Sequence, residues 1–378
     1  MRRDHGSRRA RIVGEASPPN ALVRYGQGVG PWGIPTGLSA EFSAGALSAY
    51  RELRFLHGCR GVKELSVGAC LYRFFMKKME DTHMKFEHLQ GSIVAMVTPF
   101  RQDGSVNFDM LTELLERQIA AGTDGILTLG TTGEYSTMSH EEDAAVVEHT
   151  IRVVDGRVPV MVGSGSNCTV TQIEKSRLYQ SMGADALLLI SPYYNKANAE
   201  GMYRHFAETA DAVDIPCILY NVPGRTGCSI PVSVVERLAR HPNIAGIKEA
   251  SGDMSYAMKI ARCVGPDFAL YSGNDDITVP ILSIGGSGVI SVYANVMPAM
   301  CRQIVADWLD GNHARALENH LRYLQLMNDL FLEVNPIPVK AAMNMMGLDV
   351  GPMRLPLCEM GEANAATLRR TLEEAGLL

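Results

Sequence analysis

From Ile93 onward, short apolar runs alternate with longer stretches in which apolar and polar positions recur at helical spacing. The runs are Ile93–Val97, Gly125–Leu129, Pro159–Val162, Ala186–Ile190, Cys217–Tyr220, Ile244–Ile247, Ala269–Tyr271 and Gly288–Val292. Between the first two lies Met110–Ile119, whose apolar positions fall on one face of a helix. Short runs of three to five residues spaced roughly 20–35 apart are the rhythm of strand–helix units. Eight such units predict a (β/α)8 barrel. An open doubly wound sheet uses the same alternation, but eight units within roughly 220 residues fit closure better. After Val292 the pattern turns helical, over Met300–Gly311, Ala314–Leu332 and Val339–Met346. The division expected is an extension over 1–83, a barrel over 84–311 and a small C-terminal helical domain over 312–378.

A barrel of this kind carries its site at the C-terminal ends of its strands. There the chain places Gly130–Glu134 after strand 2, Ser191–Asn195 after strand 4, Tyr220–Gly227 after strand 5, Ser272–Asp276 after strand 7 and Ser291–Asn295 after strand 8. Strand 6 brings Lys248, in Ile244–Gly252. Burying an ammonium is costly, and the cost falls when the amine is neutral. A neutral amine is the form that attacks a carbonyl carbon to make a Schiff base. The plainer alternative is a strand-end lysine that reaches solvent along its stem. Others of these residues also have plain readings. Thr131 and Thr132 could cap the next helix, Tyr193 and Tyr194 could pack a rim or an interface, and Arg225 could be a solvated loop arginine. Asp275–Asp276 invites a metal reading, but no histidine or further carboxylate stands at ligand spacing, so no metal and no cofactor are expected. Lys340, following Pro338, is read as a structural contact of the C-terminal region.

Composition narrows the class. The net charge of −6 provides no basic face for nucleic acid. No apolar run reaches the ~18 residues of a membrane span. The eight cysteines include no C-x-x-C pair, which predicts reduced thiols and a cytoplasmic setting. There is no phosphate-cradling Gly-rich loop and no dinucleotide fingerprint.

Six segments, in order, carry a family resemblance: Gly130–Glu134, Pro192–Asn195, Tyr220–Gly227, Gly246–Ala250, Gly288–Val292 and Asn335–Lys340. Over nearly all of Met84 to the C-terminus the chain resembles the dihydrodipicolinate synthase family of class I pyruvate aldolases. The resemblance implies condensation of pyruvate with L-aspartate 4-semialdehyde in lysine and diaminopimelate biosynthesis. It assigns Lys248 as the Schiff-base lysine and Tyr220 as its neighbouring proton relay, with Thr131 and Tyr194 as hydroxyl partners. Thr132 would cradle the pyruvate carboxylate and Arg225 would bind that of the semialdehyde. Gly273 and the carbonyl of Ile290 would form pocket wall. A homotetramer of two tight dimers is implied, Tyr194 reaching into the neighbouring subunit. An effector site for lysine would use His140, Asn167 and Tyr193. Thr171 stands there in place of a glutamate, and Asp143 where a second histidine often is, so weak or absent lysine inhibition is expected. A tyrosine beside a protonated amine is also expected to ionise more readily than a free one. Two other functions share the scaffold. One is a lyase releasing pyruvate from N-acetylneuraminate or a 2-keto-3-deoxy sugar acid, and the other is a non-catalytic ligand-binding relative.

Residues 1–83 lack the strand–helix rhythm and are rich in arginine, with Arg2-Arg3 and Arg8-Arg9-Ala-Arg11. A transit peptide would be poor in acids, yet Glu15, Glu41, Glu52 and Glu64 are present. Met79-Glu80-Asp81 can be encoded AUG GAG GAY, which contains a GGAGG ribosome-binding sequence shortly before Met84. The expectation is that synthesis starts at Met84 and that 1–83 is not part of the working enzyme.

Overall fold

In the computed structural model, which describes residues 89–378, the eight apolar runs pair in sequence order and close on themselves. The strands are β1 (Gly91–Ala95), β2 (Gly125–Thr128), β3 (Val160–Gly163), β4 (Ala186–Ile190), β5 (Cys217–Asn221), β6 (Ile244–Glu249), β7 (Ala269–Ser272) and β8 (Gly288–Ser291). All neighbours are parallel, and β8 returns to β1 with Ile290 opposite Ile93. The expectations for 1–83, including a start at Met84, lie outside the described residues.

Every strand is covered on both faces, which is why each reads as a continuous apolar run rather than an alternation. Side chains of alternate positions nonetheless go to different places. Ala186, Leu188 and Ile190 of β4 join Ile218, Tyr220, Tyr271 and Ile290 in the cluster that fills the barrel. Leu187, Leu189 and Leu219 belong to the larger cluster between strands and helices. The N-terminal end is closed by Leu89, whose carbonyl accepts a hydrogen bond from the Tyr271 hydroxyl at 2.6 Å.

Outside the strands run α1 (Phe108–Ala120), α2 (His140–Val154), α3 (Thr169–Met182), α4 (Ala199–Ala210), α5 (Val232–Leu238), α6 (Met254–Ile260), α7 (Thr278–Ser283) and α8 (Pro298–Leu309). Local sequence sets their starts. Ser139 and Glu142 form a reciprocal capping box on α2, and Asn107 caps α1. Past α8 the chain forms α9 (His313–Arg322), α10 (Leu324–Asp329), α11 (Ile337–Met345) and α12 (Glu362–Glu374). The single helix expected over Ala314–Leu332 is interrupted at Tyr323. α12 was not anticipated; it inserts only Leu368, Thr371 and Leu372 into the core. β6 extends two residues beyond its apolar run, to Glu249, and carries Lys248 near its end as expected.

Candidate active site

Lys248 and Tyr220 stand opposite each other on β6 and β5. Both side chains point into the barrel and are nearly buried, at 5% and 7% exposure. The Lys248 amine lies 4.7 Å from the centre of the Tyr220 ring. Burial pushes the amine's pKa down to about 8, and Arg225 adds to this while Asp275 opposes it. Near neutrality the amine can therefore shed its proton far more readily than an ordinary lysine. Burial also raises the pKa of Tyr220, although Arg225 and a hydrogen bond with Thr131 pull the other way. This reverses the expectation of an easily ionised tyrosine. Loss of hydration outweighs the nearby cations, so Tyr220 is suited to pass a proton as a neutral hydroxyl.

Thr131 and Thr132 open a single 3-10 turn after β2, closed by Gly133 N–H to Gly130 carbonyl. Thr131 lines a small cavity together with Tyr220 and Tyr135, and Thr132 is 3% exposed. The turn is fixed from outside the barrel. Thr98 donates to the Gly133 carbonyl at 2.7 Å. Glu134, in left-handed backbone at φ 54°, accepts from the Lys340 amine at 2.9 Å and from the Arg354 backbone N–H at 3.0 Å. Lys340 is fully buried and also donates to the carbonyls of Thr98 and Pro352. It is the structural contact read from the sequence, and its role is to bolt α11 to the turn that carries both threonines.

Arg225 belongs to a one-turn helix after β5, Pro223–Thr226. It is exposed, and it donates to the Asn335 carbonyl at 3.0 Å. Gly273, after β7, is packed so closely that a Cβ there would lie 2.6 Å from the Cβ of Ala250 and 3.1 Å from Lys248 Cε. Only glycine leaves the lysine stem its room. Ile290 is fully buried in the barrel interior. Lys248, Tyr220, Thr131, Thr132, Arg225, Gly273 and Ile290 thus gather at or just inside one mouth.

Tyr194 is not brought to them. It is 88% exposed and held at a φ of 68°, a backbone strain for a non-glycine residue. Of the effector residues, His140 lines a cavity of about 190 Å³ with Thr171, Glu174, Lys175, Leu178 and Tyr179. Asn167 and Tyr193 are not part of its lining. Lys175 is bonded to buried Asp143 at 2.8 Å. Glu174, one turn after Thr171 on α3, also lines this cavity.

Two residues near the site were not assigned roles from sequence. Asp275 is buried and accepts from the Val292 and Tyr293 backbone N–H groups at 3.0 and 2.9 Å. It is thus a backbone clamp for the end of β8, and its charge reaches Lys248. Among the described residues no group of three or more histidine, cysteine or acidic side chains could hold a metal. Asn335 lies between Thr132 and Arg225. It fell in a family-like segment, but nothing in the sequence showed that this segment returns to the mouth.

A closed parallel barrel with a buried, easily deprotonated lysine at its C-terminal end defines a (β/α)8 protein equipped for carbonyl chemistry. Residues 88–375 match the model of the dihydrodipicolinate synthetase family. The 4-hydroxy-tetrahydrodipicolinate synthase of Clostridium perfringens SM101 is 48% identical over 289 residues, 76% of this chain and 99% of that protein. The enzyme of the same name from Acetivibrio thermocellus is 49% identical over 288 residues, covering 76% and 98%. The solved dihydrodipicolinate synthase of Acinetobacter baumannii, complexed with pyruvate, superposes with a TM-score of 0.75 at 42% identity, covering 77% of this chain and 100% of that one. The Aquifex aeolicus dihydrodipicolinate synthase gives 0.75 at 40%, covering 76% and 99%. The chain belongs to the dihydrodipicolinate synthetase family.

Proposed function

We propose that this chain condenses pyruvate with L-aspartate 4-semialdehyde to 4-hydroxy-tetrahydrodipicolinate, using Lys248 as nucleophile. The observation that carries the reading is the Lys248–Tyr220 pair, with the amine buried and its pKa lowered to about 8. The amine attacks C2 of pyruvate, and loss of water gives an imine. The imine draws electrons from the methyl carbon, which loses a proton and becomes an enamine. The enamine carbon bonds to the aldehyde carbon, whose oxygen takes a proton. The amino group of the former semialdehyde then attacks the imine carbon, closes the ring and releases Lys248. Tyr220 and Thr131 carry protons between these steps, joined by Tyr194 of a neighbouring subunit. Thr132 holds the pyruvate carboxylate, and the planar fork of Arg225 receives the other carboxylate. Gly273 and the Ile290 carbonyl shape the wall.

The same reading gives a homotetramer of two tight dimers, a cytoplasmic setting and a supporting domain over 312–378. No helix among the described residues is long and apolar enough to cross a membrane. The cavity lined by His140 is assigned as the effector region, with Asn167 and Tyr193, which lie outside its lining, as further members of that site.

The test is borohydride reduction in the presence of pyruvate, followed by peptide mapping. An adduct on Lys248 is expected. An adduct on Lys340, or none, overturns the mechanism. Formation of the cyclic product from pyruvate and semialdehyde separates this activity from sugar-acid cleavage and from mere binding.

A further inference from the structure

The Asn335–Lys340 segment is far from the barrel strands in sequence, yet it returns to the mouth. Asn335 is 5% exposed and touches both residues that the proposed reaction uses for carboxylate binding. Its side-chain Nδ2 donates to Thr132 Oγ1 at 3.0 Å. Its backbone carbonyl accepts from Arg225 at 3.0 Å. We propose that Asn335 is a positioning residue that sets the direction of the Thr132 hydroxyl and the pose of Arg225, joining the two carboxylate-binding halves of the mouth.

A threonine hydroxyl has one proton and two acceptor sites. With one acceptor site filled by the Asn335 N–H, the Thr132 proton is left to donate elsewhere. Among the described residues Asn335 is the only hydrogen-bond partner of that hydroxyl. The proton is therefore available to a substrate carboxylate, where a charge-assisted bond is stronger than a neutral one. A partner that could only accept would capture the proton and turn the hydroxyl the wrong way. Asn335 Oδ1 is buried without a partner, and among the described residues the one side-chain hydrogen bond of the amide is that from Nδ2 to Thr132.

The arrangement is also rigid. Asn335 lies just before α11, and Lys340 of α11 is bolted to Glu134, two residues past Thr132. Both ends of the Asn335–Thr132 bond are thus tied by the same buried ion pair. Arg225, otherwise an exposed side chain on a short turn, gains one fixed contact at the inner edge of its fork.

The inference rests on the function proposed above, and the experiment separates the two. It uses the full chain, with KM for each substrate, kcat and thermal midpoint measured for Asn335→Ala and Asn335→Asp. Asn335→Ala keeps the backbone carbonyl, so pyruvate KM should rise about tenfold and semialdehyde KM by less, with the thermal midpoint little changed. Asn335→Asp offers only acceptors and adds a negative charge, so pyruvate KM should rise further, by about a hundredfold. Being isosteric, it also serves if the alanine variant does not fold. In a Thr132→Val background, Asn335→Ala should no longer affect pyruvate KM appreciably. The inference is overturned if the alanine and aspartate variants lower only kcat or thermal stability. It is also overturned if semialdehyde KM responds more than pyruvate KM, or if the two substitutions act independently. Failure of the parent reading has a different signature, the absence of a pyruvate adduct on wild-type Lys248.

Discussion

Replacing Lys248 with methionine should abolish turnover and at the same time stabilise the fold. The amine's pKa falls from 10.5 to about 8 in the native structure, chiefly through burial. At ~1.36 kcal/mol per unit, keeping that amine protonated inside the barrel costs the native state roughly 3 kcal/mol at neutral pH. Methionine fills a similar space without the charge. It leaves the Asp275 carboxylate without its nearby cation, which offsets part of the gain. Asp275 keeps its two backbone N–H donors, so a net stabilisation of about 1–3 kcal/mol is expected. The sign of the pH dependence is distinctive. Below about pH 8 both folded and unfolded wild-type chains hold the proton, and the full cost is present. Between about 8 and 10.5 the unfolded chain binds more protons than the folded one, so wild-type stability rises with pH. The variant has no such gain, and its advantage should shrink across that interval. Urea unfolding at one fixed protein concentration, repeated from neutral to alkaline pH, measures the difference; fixed concentration matters because assembly contributes to apparent stability. A variant less stable than wild type at neutral pH, with a gap that does not change with pH, would refute the reasoning.

Four further outcomes follow from the geometry. Arg225→Ala should raise the semialdehyde KM by an amount matching loss of a charge-assisted contact, roughly 1.5–3 kcal/mol, while leaving borohydride trapping of pyruvate largely intact; equal damage to trapping would show a structural role. Lys340→Met should cost about 3–5 kcal/mol in urea unfolding, because it strands the buried Glu134 carboxylate; a loss below about 1 kcal/mol contradicts the clamp. Tyr194→Phe should slow turnover with unfolding unchanged, and sedimentation should show a tetramer; a fully active monomer is incompatible with a relay completed by the neighbouring subunit. Lysine should inhibit weakly or not at all, since the Lys175 cation, paired with Asp143, stands in the His140 cavity where an amine would have to enter; inhibition at submillimolar lysine contradicts this.

The barrel was legible because each strand is buried on both faces and reads as an unbroken apolar run. The strand ends were less clear, since hydrogen bonding continues where hydrophobicity stops. Lys248 and Glu249 remain paired with Tyr220 and Asn221 although both are charged. Residues at the strand ends could be placed at one mouth from chain order alone. Asn335 could not, because its approach to Thr132 depends on how the C-terminal segment folds back. α12 escaped notice because few apolar residues mark its buried face. The interruption at Tyr323 was equally silent, as the sequence there contains neither glycine nor proline. Tyr220 shows another limit. Its neighbours suggested easy ionisation, but burial, which sequence reveals only indirectly, dominates.

The clamp at Glu134 gives the molecule an order of completion. A ribosome delivers the threonine turn, the tyrosine and the lysine well before Asn335, Lys340 and Arg354. Until those arrive, the Glu134 carboxylate lacks the donors that hold it in the folded protein. The apparatus for making the imine is therefore translated early but locked into shape late. A half-made chain leaving the ribosome should be a poor catalyst even where most of its barrel has been synthesised.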